Sequence, residues 1–565
     1  MDQAVSEDKI RPEVQPVKTA TQPLSTPSLS TPWIILLCVA WLLPGLFGHG
    51  PWKPDEAYTF GLVHHMIQSG DWIVPTLGGE PFIEKPPIFF IVAALFAKLF
   101  SGWLPLHDGA RIATVFFFTI MCAFIALTQR ALNDNRNGNL ALLILIGCLG
   151  LLPRAHQLIT DVALLSGFAM AYYAFAISYK RPLLAGFLLG TGVGLGFMSK
   201  GLIAPGALGL TAIALPLVGR EWRCRSYFIC LSISLLAMLP WLAVWPWLLY
   251  QRSPELFHEW FFVQNWGRFF GSAHLSFPND DRAFYFKLLP WWGWPATPLA
   301  LFGLWHNRKT NFMRPAILLP LVCLAVIMLV LTAAGEGREL YALPTLIPLV
   351  LLATAGENAL KYRVTRILQG FWVFIFFALS ACGWFSWSLL FFLPLKGVSE
   401  KTKAAILPAT PLDFRPSTVC IAAGITLLCV AVFYLSRKDD RRPIIHWTAS
   451  ITLLWAMLMT LWLPVIDEKK SYDKMIAELR TVLPPTYNCI ASKGLGEPQR
   501  ALLDYYMGLV TQRVEKGKGG ECTLLLVQGT TSSKVPADDG YRKLWEGNRP
   551  GDDSERFWLF ERGRF

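Results

Sequence analysis

The sequence predicts a polytopic α-helical membrane protein with about thirteen transmembrane helices and a small carboxyl-terminal α/β domain. Three observations predict this class. Of the 565 residues, 53% are hydrophobic and 16% are charged, whereas soluble domains carry about 25% charged residues. The apolar runs are continuous rather than alternating, which excludes a transmembrane β-barrel. The composition changes after residue 464, where charged residues recur throughout.

The apolar runs define the predicted spans. They lie at about 33–48, 108–129, 139–152, 162–179, 182–199, 201–219, 226–250, 287–305, 315–332, 341–356, 368–394, 418–436 and 444–464. The run 88–102 is short for a span, which needs about 20 residues, and it contains Lys98. It therefore predicts a helix that lies in the membrane interface within the first outer loop.

The basic residues orient the chain. With a cytoplasmic amino terminus, every predicted inner loop holds two or more basic residues, whereas the short outer turns hold Arg154, Lys200 and Arg338 singly. Cytoplasmic loops are enriched in lysine and arginine, so topology explains the net charge of +12 and no nucleic-acid partner is expected. The inner set is Arg130, Arg136, Lys180, Arg181, Arg220, Arg223, Arg225, Arg308, Lys309, Arg314, Lys361, Arg363, Arg366, Arg437, Lys438, Arg441 and Arg442.

Three regions follow from this topology. Residues 1–32 are polar and predict a disordered cytoplasmic tail. Residues 33–464 form the transmembrane part, with a first periplasmic loop at 49–107. Residues 465–565 predict a periplasmic α/β domain on a bacterial inner membrane, with helices at 471–482 and 498–508 and strands at 487–491, 522–528, 541–546 and 556–562.

Two cysteines stand apart from the other nine. Cys489 and Cys522 are the only ones outside the membrane region. Disulfides form in oxidising compartments such as the periplasm, so these two residues are predicted to form a disulfide.

The first outer loop carries the most unusual polar residues. Asp55, Glu56, Glu84 and Lys85 lie among aromatic residues and prolines. Each has a simpler interpretation: Asp55 caps the helix that follows, and Lys85 reaches towards the interface from the bilayer. The pair of prolines after Lys85 fixes its backbone, however, which favours a positioned charge.

Other candidate site residues share the predicted outer face. Lys200 is a lone cation at the membrane boundary, and such a charge suggests a functional site. Asp161 opens a span, where an aspartate also serves as an ordinary cap. The remaining candidates on this face are Tyr58, Asn265, Arg268, Arg338 and Tyr341.

An outer-face site beside an interface helix suits a lipid substrate that enters from the bilayer. If its head group is a phosphate bonded to a sugar, Lys85 and Arg268 can stabilise the phosphate as it leaves. Asp55 can accept the proton of an acceptor hydroxyl, or orient groups if the acceptor is itself a phosphate. The sequence has no residue spacing that is specific for a metal site. Whether the activity depends on a metal stays open, and Glu84 is a candidate ligand for a divalent ion.

Several motifs together resemble one family. They are P-D-E-A-Y (54–58), S-G-D-W-I-V-P (69–75), G-G-E-P-F-I-E-K-P-P (78–87), M-S-K-G (198–201), N-W-G-R-F (265–269) and R-E-L-Y-A-L-P (338–344). With the Asp161 turn, they resemble the C-type glycosyltransferases that use lipid-linked sugars, above all the aminoarabinose transferases of lipid A within the wider protein-mannosyltransferase-like group.

The resemblance implies roles for these residues. Asp55 would be the principal catalytic carboxylate, Asp161 a second one, and Lys85 the ligand of the donor phosphate, with Arg268 and Lys200 as further phosphate ligands. The donor would be a polyprenyl-phosphate-linked sugar and the acceptor lipid A or another envelope glycan. Two positions depart from the family pattern: Tyr58 stands where an arginine is usual, and Asn265 where a histidine is common.

Two alternatives remain open at this point. A transporter or lipid-linked sugar flippase would have inverted repeats and ionisable residues at the bilayer midplane, whereas the charges here collect on one face. A glycosyltransferase that modifies protein hydroxyls would share the donor and differ only in the acceptor.

The topology gives a direct prediction. Reporter fusions at residues 135 and 310 should lie in the cytoplasm, and a fusion at residue 565 should lie in the periplasm. This topology places the basic loops on the cytoplasmic side. A cytoplasmic signal at residue 565 would contradict the topology.

Overall fold

The computed structural model describes residues 29–133, 138–267, 281–309, 312–333, 337–357, 362–392, 414–530, 540–550, 552 and 554–562. Nearly all of the predicted tail 1–32 lies outside these residues. Within them, the chain is a helical membrane part followed by a domain with a small sheet, as the sequence predicts.

The membrane part consists mainly of apolar α-helices. In chain order they are α1 (Thr31–Leu42), α2 (Asp55–Ser69), α3 (Ile88–Phe100), α4 (Leu106–Leu132), α5 (Gly138–Ile146), α6 (Asp161–Ile177), α7 (Pro182–Lys200), α8 (Ile203–Val218), α9 (Arg225–Arg252), α10 (Pro254–His258), α11 (Phe284–Trp292), α12 (Ala296–Asn307), α13 (Pro315–Ala333), α14 (Leu346–Glu357), α15 (Tyr362–Phe392), α16 (Pro416–Leu435), α17 (Arg442–Leu458) and α18 (Leu463–Lys470). A two-stranded hairpin, β1 (Thr76–Leu77) and β2 (Glu80–Pro81), lies between α2 and α3.

Several predicted spans differ from the observed helices. Seven helices of the described chain are long and apolar enough to cross a bilayer, and α17 with α18 makes an eighth if that pair, bent by 65°, is one span. The predicted span 287–305 is two helices, because Pro295 interrupts the backbone hydrogen bonding after Gly293. The span 139–152 ends as a helix at Ile146, and 341–356 begins with a 3₁₀ segment, Glu339–Thr345.

Small residues allow the central helices to approach closely. The backbones of α6 and α7 meet at Gly167, where an added Cβ would lie 2.6 Å from the carbonyl oxygen of Gly192. Helix α7 meets α9 in the same way at Gly190, where an added Cβ would lie 2.5 Å from the Ser234 carbonyl oxygen. Such contacts are typical of membrane helices, whose association depends on close packing rather than on apolar burial.

A buried ion-pair network ties the first loop to helix α4. Arg111 is fully buried, and its Nε donates to Glu56 Oε1 at 2.8 Å while Nη1 donates to Asp108 Oδ1 at 2.5 Å. Its Nη1 and Nη2 also donate to the carbonyl oxygens of His49 and Gly50, at 3.0 Å each. Glu56 in turn accepts a hydrogen bond from the Trp52 amide at 3.0 Å. One guanidinium thus fixes both the entry to α2 and its first turn.

The carboxyl-terminal domain has the predicted α/β character. Its elements are α19 (Asp473–Val482), β3 (Ile490–Lys493), α20 (Glu497–Met507), β4 (Gln512–Arg513), β5 (Leu524–Gly529), β6 (Tyr541–Gly547) and β7 (Arg556–Arg562), with strand order β4-β3-β5-β7-β6. Strand β3 pairs parallel to β4 and β5, and β7 pairs antiparallel to β5 and β6. Strand β4 is the one element of this sheet that the sequence did not predict.

The domain packs on the first loop. A Cβ added to Gly61 of α2 would lie 2.5 Å from Cβ of Ala501 in α20, so only glycine permits this contact. Ala57 of α2 belongs to the same buried cluster as Leu502. On the sheet, a disulfide joins Cys489 and Cys522, whose Cα atoms are 4.8 Å apart.

Arg111→Ala should destabilise the protein strongly. It leaves Glu56 and Asp108 buried without their cation, and breaking a buried pair in this way costs about 3–5 kcal/mol. The free energy of unfolding, measured by denaturant titration in detergent micelles, checks this prediction. The control is Arg252→Ala, because Arg252 is 65% exposed and lies 3.7 Å from Asp71; such a pair contributes about 0–1 kcal/mol. Equal losses in the two variants would contradict the role of Arg111.

Candidate active site

One cavity of about 870 Å³ collects most of the predicted site residues. Among its lining residues are eight of them: Asp55, Tyr58, Glu84, Lys85, Lys200, Asn265, Arg338 and Tyr341. They come from the first loop, the α7–α8 turn, the segment after α10 and the 3₁₀ turn before α14. The topology therefore brings together residues that are far apart in the sequence.

A chain of hydrogen bonds links the first-loop residues. Lys85 Nζ donates to the Tyr58 hydroxyl at 2.6 Å, and that hydroxyl donates to Asp55 Oδ1 at 3.2 Å. Asp55 is the first residue of α2, and Tyr58 follows one turn later on the same face. Asp55 is not the N-cap of α2, which is Pro54. Its carboxylate is directed to Tyr58 in the cavity wall, which contradicts the simpler interpretation as a cap.

Lys85 is held in its charged form. Burial alone would lower the pKa of its ammonium group, but Tyr58, Asp161 and Asp55 outweigh burial and raise that pKa above its ordinary value. The following prolines, Pro86 and Pro87, restrict the backbone before α3 begins. The cavity therefore presents a fixed cation next to a carboxylate.

A second charged pair lies at the α7–α8 turn. Lys200 Nζ donates to Asp161 Oδ1 and also lies 4.6 Å from the centre of the Tyr341 ring. The guanidinium of Arg338 lies 5.9 Å from the same ring. Asp161 is buried and does not line the cavity. Asp161 contacts the lining residue Lys200, and its catalytic role stays a prediction.

Asn265 fixes the turn that carries Lys200. Its Oδ1 accepts a hydrogen bond from the Leu202 amide at 3.3 Å, and its Nδ2 donates to the Trp260 carbonyl at 2.9 Å. Between Lys200 and Leu202, Gly201 has a φ of +69°, and an added Cβ would lie 1.8 Å from Asn265 Oδ1. The M-S-K-G motif thus requires glycine both for its backbone and for this contact.

Glu56 does not belong to the cavity. Its carboxylate points to Arg111 and is almost completely buried. Burial alone would raise the pKa of this carboxyl, but the charge of Arg111 outweighs burial and lowers it. The structure thus places the Glu56 side chain away from the cavity, because neighbouring positions in a helix face different directions. Its role in the site stays a prediction.

Two further predictions concern Glu84 and Arg268. Glu84, the candidate metal ligand, lines the cavity. In the described part of the chain, no three histidine, cysteine, aspartate or glutamate residues lie close enough together to hold a metal ion. Arg268 lies outside the described residues.

The sequence did not predict the contribution of the carboxyl-terminal domain. Glu497, Arg500 and Arg513 line the cavity beside the first-loop residues. Burial and the charge of Glu84 raise the pKa of Glu497. Only the packing of α2 on α20 places these side chains there, and no local pattern in the sequence indicates that packing.

The chain is similar to known proteins in sequence and in fold. The family model for dolichyl-phosphate-mannose-protein mannosyltransferases matches residues 84–247. Over 94% of this chain and 98% of the other, the structure superposes on ArnT from Cupriavidus metallidurans with undecaprenyl phosphate bound, with a TM-score of 0.65 and 18% identity. The apo form of that protein gives a TM-score of 0.68 and 17% identity.

The chain therefore has the fold of these two structures. The resemblance predicted from the motifs is confirmed by sequence as well. The chain is 25% identical over 451 residues to the undecaprenyl phosphate-alpha-4-amino-4-deoxy-L-arabinose arabinosyl transferase of Yersinia enterocolitica, covering 74% of each chain. To the Pseudomonas aeruginosa protein with that name it is 30% identical over 339 residues, covering 57% of this chain and 58% of the relative.

Tyr58→Phe should lower the pKa of Lys85. The variant removes the acceptor of the lysine hydrogen bond, and a hydrogen bond to a charged group contributes about 1.5–3 kcal/mol, or about 1–2 pKa units. Lys85 should then react faster with an amine-reactive reagent between about pH 9 and 10, as measured by mass spectrometry. Exposed Lys98 in α3 is the control and should react at an unchanged rate. An unchanged rate at Lys85 would contradict the hydrogen-bonded chain.

Proposed function

We propose that this protein transfers a 4-amino-4-deoxy-L-arabinose unit from a polyprenyl-phosphate donor to a phosphate of lipid A. The observation that carries the proposal is the hydrogen-bonded chain Lys85–Tyr58–Asp55 in the wall of a large cavity. The similarity to arabinosyl transferases along most of the chain supports the sugar and the donor.

Lys85 is assigned to the donor phosphate. Its raised pKa keeps the ammonium charged at neutral pH, and a fixed cation at the leaving oxygen stabilises the charge that develops there. Lys200 is also in the cavity, but Asp161 already balances its charge. We therefore place Lys200 as a secondary ligand, and Arg268 as a further ligand from the segment that follows Gly267.

The reaction needs no external oxidant or reductant. An oxygen of the acceptor phosphate attacks the anomeric carbon, the bond from that carbon to the donor phosphate oxygen breaks, and the electron pair leaves with polyprenyl phosphate. An acceptor phosphate is already ionised near neutral pH, so no general base is needed. We assign to Asp55 the orientation of the sugar, with Tyr58 holding its carboxylate. If the acceptor is a hydroxyl, Asp55 would accept its proton.

The side of the membrane is part of the proposal. We place the amino terminus in the cytoplasm, and the cavity and residues 465–565 in the periplasm. The distribution of basic residues supports this orientation, as does the Cys489–Cys522 disulfide in the carboxyl-terminal domain. A donor and an acceptor that are both lipids would reach the cavity from the outer leaflet.

Mass spectrometry of lipid A tests the function. A deletion strain should lack aminoarabinose on lipid A and should regain it with the wild-type gene. Asp55→Asn and Lys85→Ala should not restore it, because removing a preorganised charge costs about 10²–10³ in rate. Intact lipid A modification in the deletion strain would exclude the proposal. A changed envelope glycan or glycoprotein there would select another acceptor.

The matched control is Asp71→Asn. Asp71 lies in the same loop but does not line the cavity. Its Oδ1 accepts hydrogen bonds from the amides of Ile73 and Val74, which an asparagine oxygen can also accept. Asp71→Asn should therefore support normal modification. Loss of function in this control as well would indicate a folding defect of the loop rather than a role for Asp55.

A further inference from the structure

The carboxyl-terminal domain contributes cations to the cavity that the proposed function does not yet use. Arg500 lies in α20, Arg513 ends β4, and both line the cavity. They come from a part of the chain separate from the loop that carries Lys85. The cavity thus has one group of cations from the membrane part, which includes Lys85 of the first loop, and a second from the carboxyl-terminal domain.

These arginines share a single carboxylate oxygen. Glu80 Oε2 lies 3.1 Å from Arg500 Nη1, from Arg513 Nη1 and from Lys516 Nζ. Each arginine has five N–H donors and the lysine has three. The two oxygens of one carboxylate cannot accept hydrogen bonds from all of these donors. The Arg500 side chain is only 6% exposed, yet its Nε has no hydrogen-bond partner within the described residues. A buried donor of this kind calls for an acceptor.

The nearby carboxylates do not supply that acceptor. Glu515 lies 3.7 Å from Arg513 Nε and accepts a hydrogen bond from the Gly494 amide. Glu497 also lines the cavity, but among the described residues no ion pair joins it to Arg500 or Arg513. The wall formed by Arg500 and Arg513 therefore keeps the capacity to bind an anion.

We propose that Arg500 and Arg513 bind a phosphate of the acceptor lipid, while Lys85 serves the donor phosphate. This inference rests on the proposed function. Transfer between two phosphates brings two anions into one cavity, and their mutual repulsion has to be balanced by two separate groups of cations. Arginine matches phosphate through parallel N–H···O bonds, which position the group as well as attract it. The carboxyl-terminal domain thus forms the acceptor side of the site.

Kinetics of the full-length protein in detergent test this assignment. The substrates are undecaprenyl phosphate-aminoarabinose and hexa-acylated lipid A that carries its phosphates. Arg500→Gln and Arg513→Gln should each raise the KM for lipid A by about ten- to a hundredfold, as expected for lost hydrogen bonds to a charged group. The KM for the donor should stay within about twofold of the wild type, whereas Lys85→Ala should impair the use of the donor.

Lys516→Gln is the matched control. Lys516 contacts the same oxygen of Glu80 but does not line the cavity. If the arginines only hold Glu80, all three variants should behave alike, and that result would overturn the proposal. An unchanged KM for lipid A in both arginine variants, or a raised KM for the donor, would overturn it too.

Direct binding separates this inference from the proposed function. Labelled lipid A, without donor, should bind the wild type more tightly than the Arg500→Gln/Arg513→Gln double variant. Dephosphorylated lipid A should bind both proteins equally weakly. If the wild type binds lipid A in this pattern but transfers no sugar, the proposed function fails while the phosphate site stands. Equal binding of phosphorylated lipid A by both proteins overturns the site itself.

Discussion

The structure of the candidate site depends on one buried guanidinium. Arg111 joins Glu56, Asp108 and two backbone carbonyls, and it thereby fixes the direction in which α2 leaves the membrane part. Asp55 and Tyr58 project into the cavity only because their neighbour Glu56 is held on the other side of the helix. A cation and two carboxylates that never touch the cavity thus determine its geometry, and their burial makes that geometry costly to change.

The cavity itself is organised by pairing opposite charges. Lys85 is linked to Asp55 through Tyr58, and Lys200 is bonded to Asp161. The Tyr58 hydroxyl accepts a hydrogen bond from the lysine and donates one to the carboxylate. It therefore connects the two opposite charges of this wall.

The sequence predicted the fold class and most of the cavity because two strong signals were local. Long apolar runs and the side on which basic residues collect indicate membrane helices and their orientation, and polar residues that interrupt them indicate a site. The errors arose where the signal is not local. The end of the helix at Ile146 depends on how the helices pack, and Glu56 differs from Asp55 only in the direction that it faces. Arg500 and Arg513 reach the cavity through the contact of Gly61 with Ala501, which no periodicity reveals.

The position of the cavity wall in the chain has a consequence for biosynthesis. Residues 495–513 complete the cavity, and they follow every apolar helix in chain order. During translation, Asp55 and Lys85 of the first loop leave the ribosome long before residues 495–513 are synthesised. A nascent chain therefore lacks a closed site until its membrane helices are inserted and its last domain has folded onto α2. Assembly of the carboxyl-terminal domain is then the step at which the protein becomes competent.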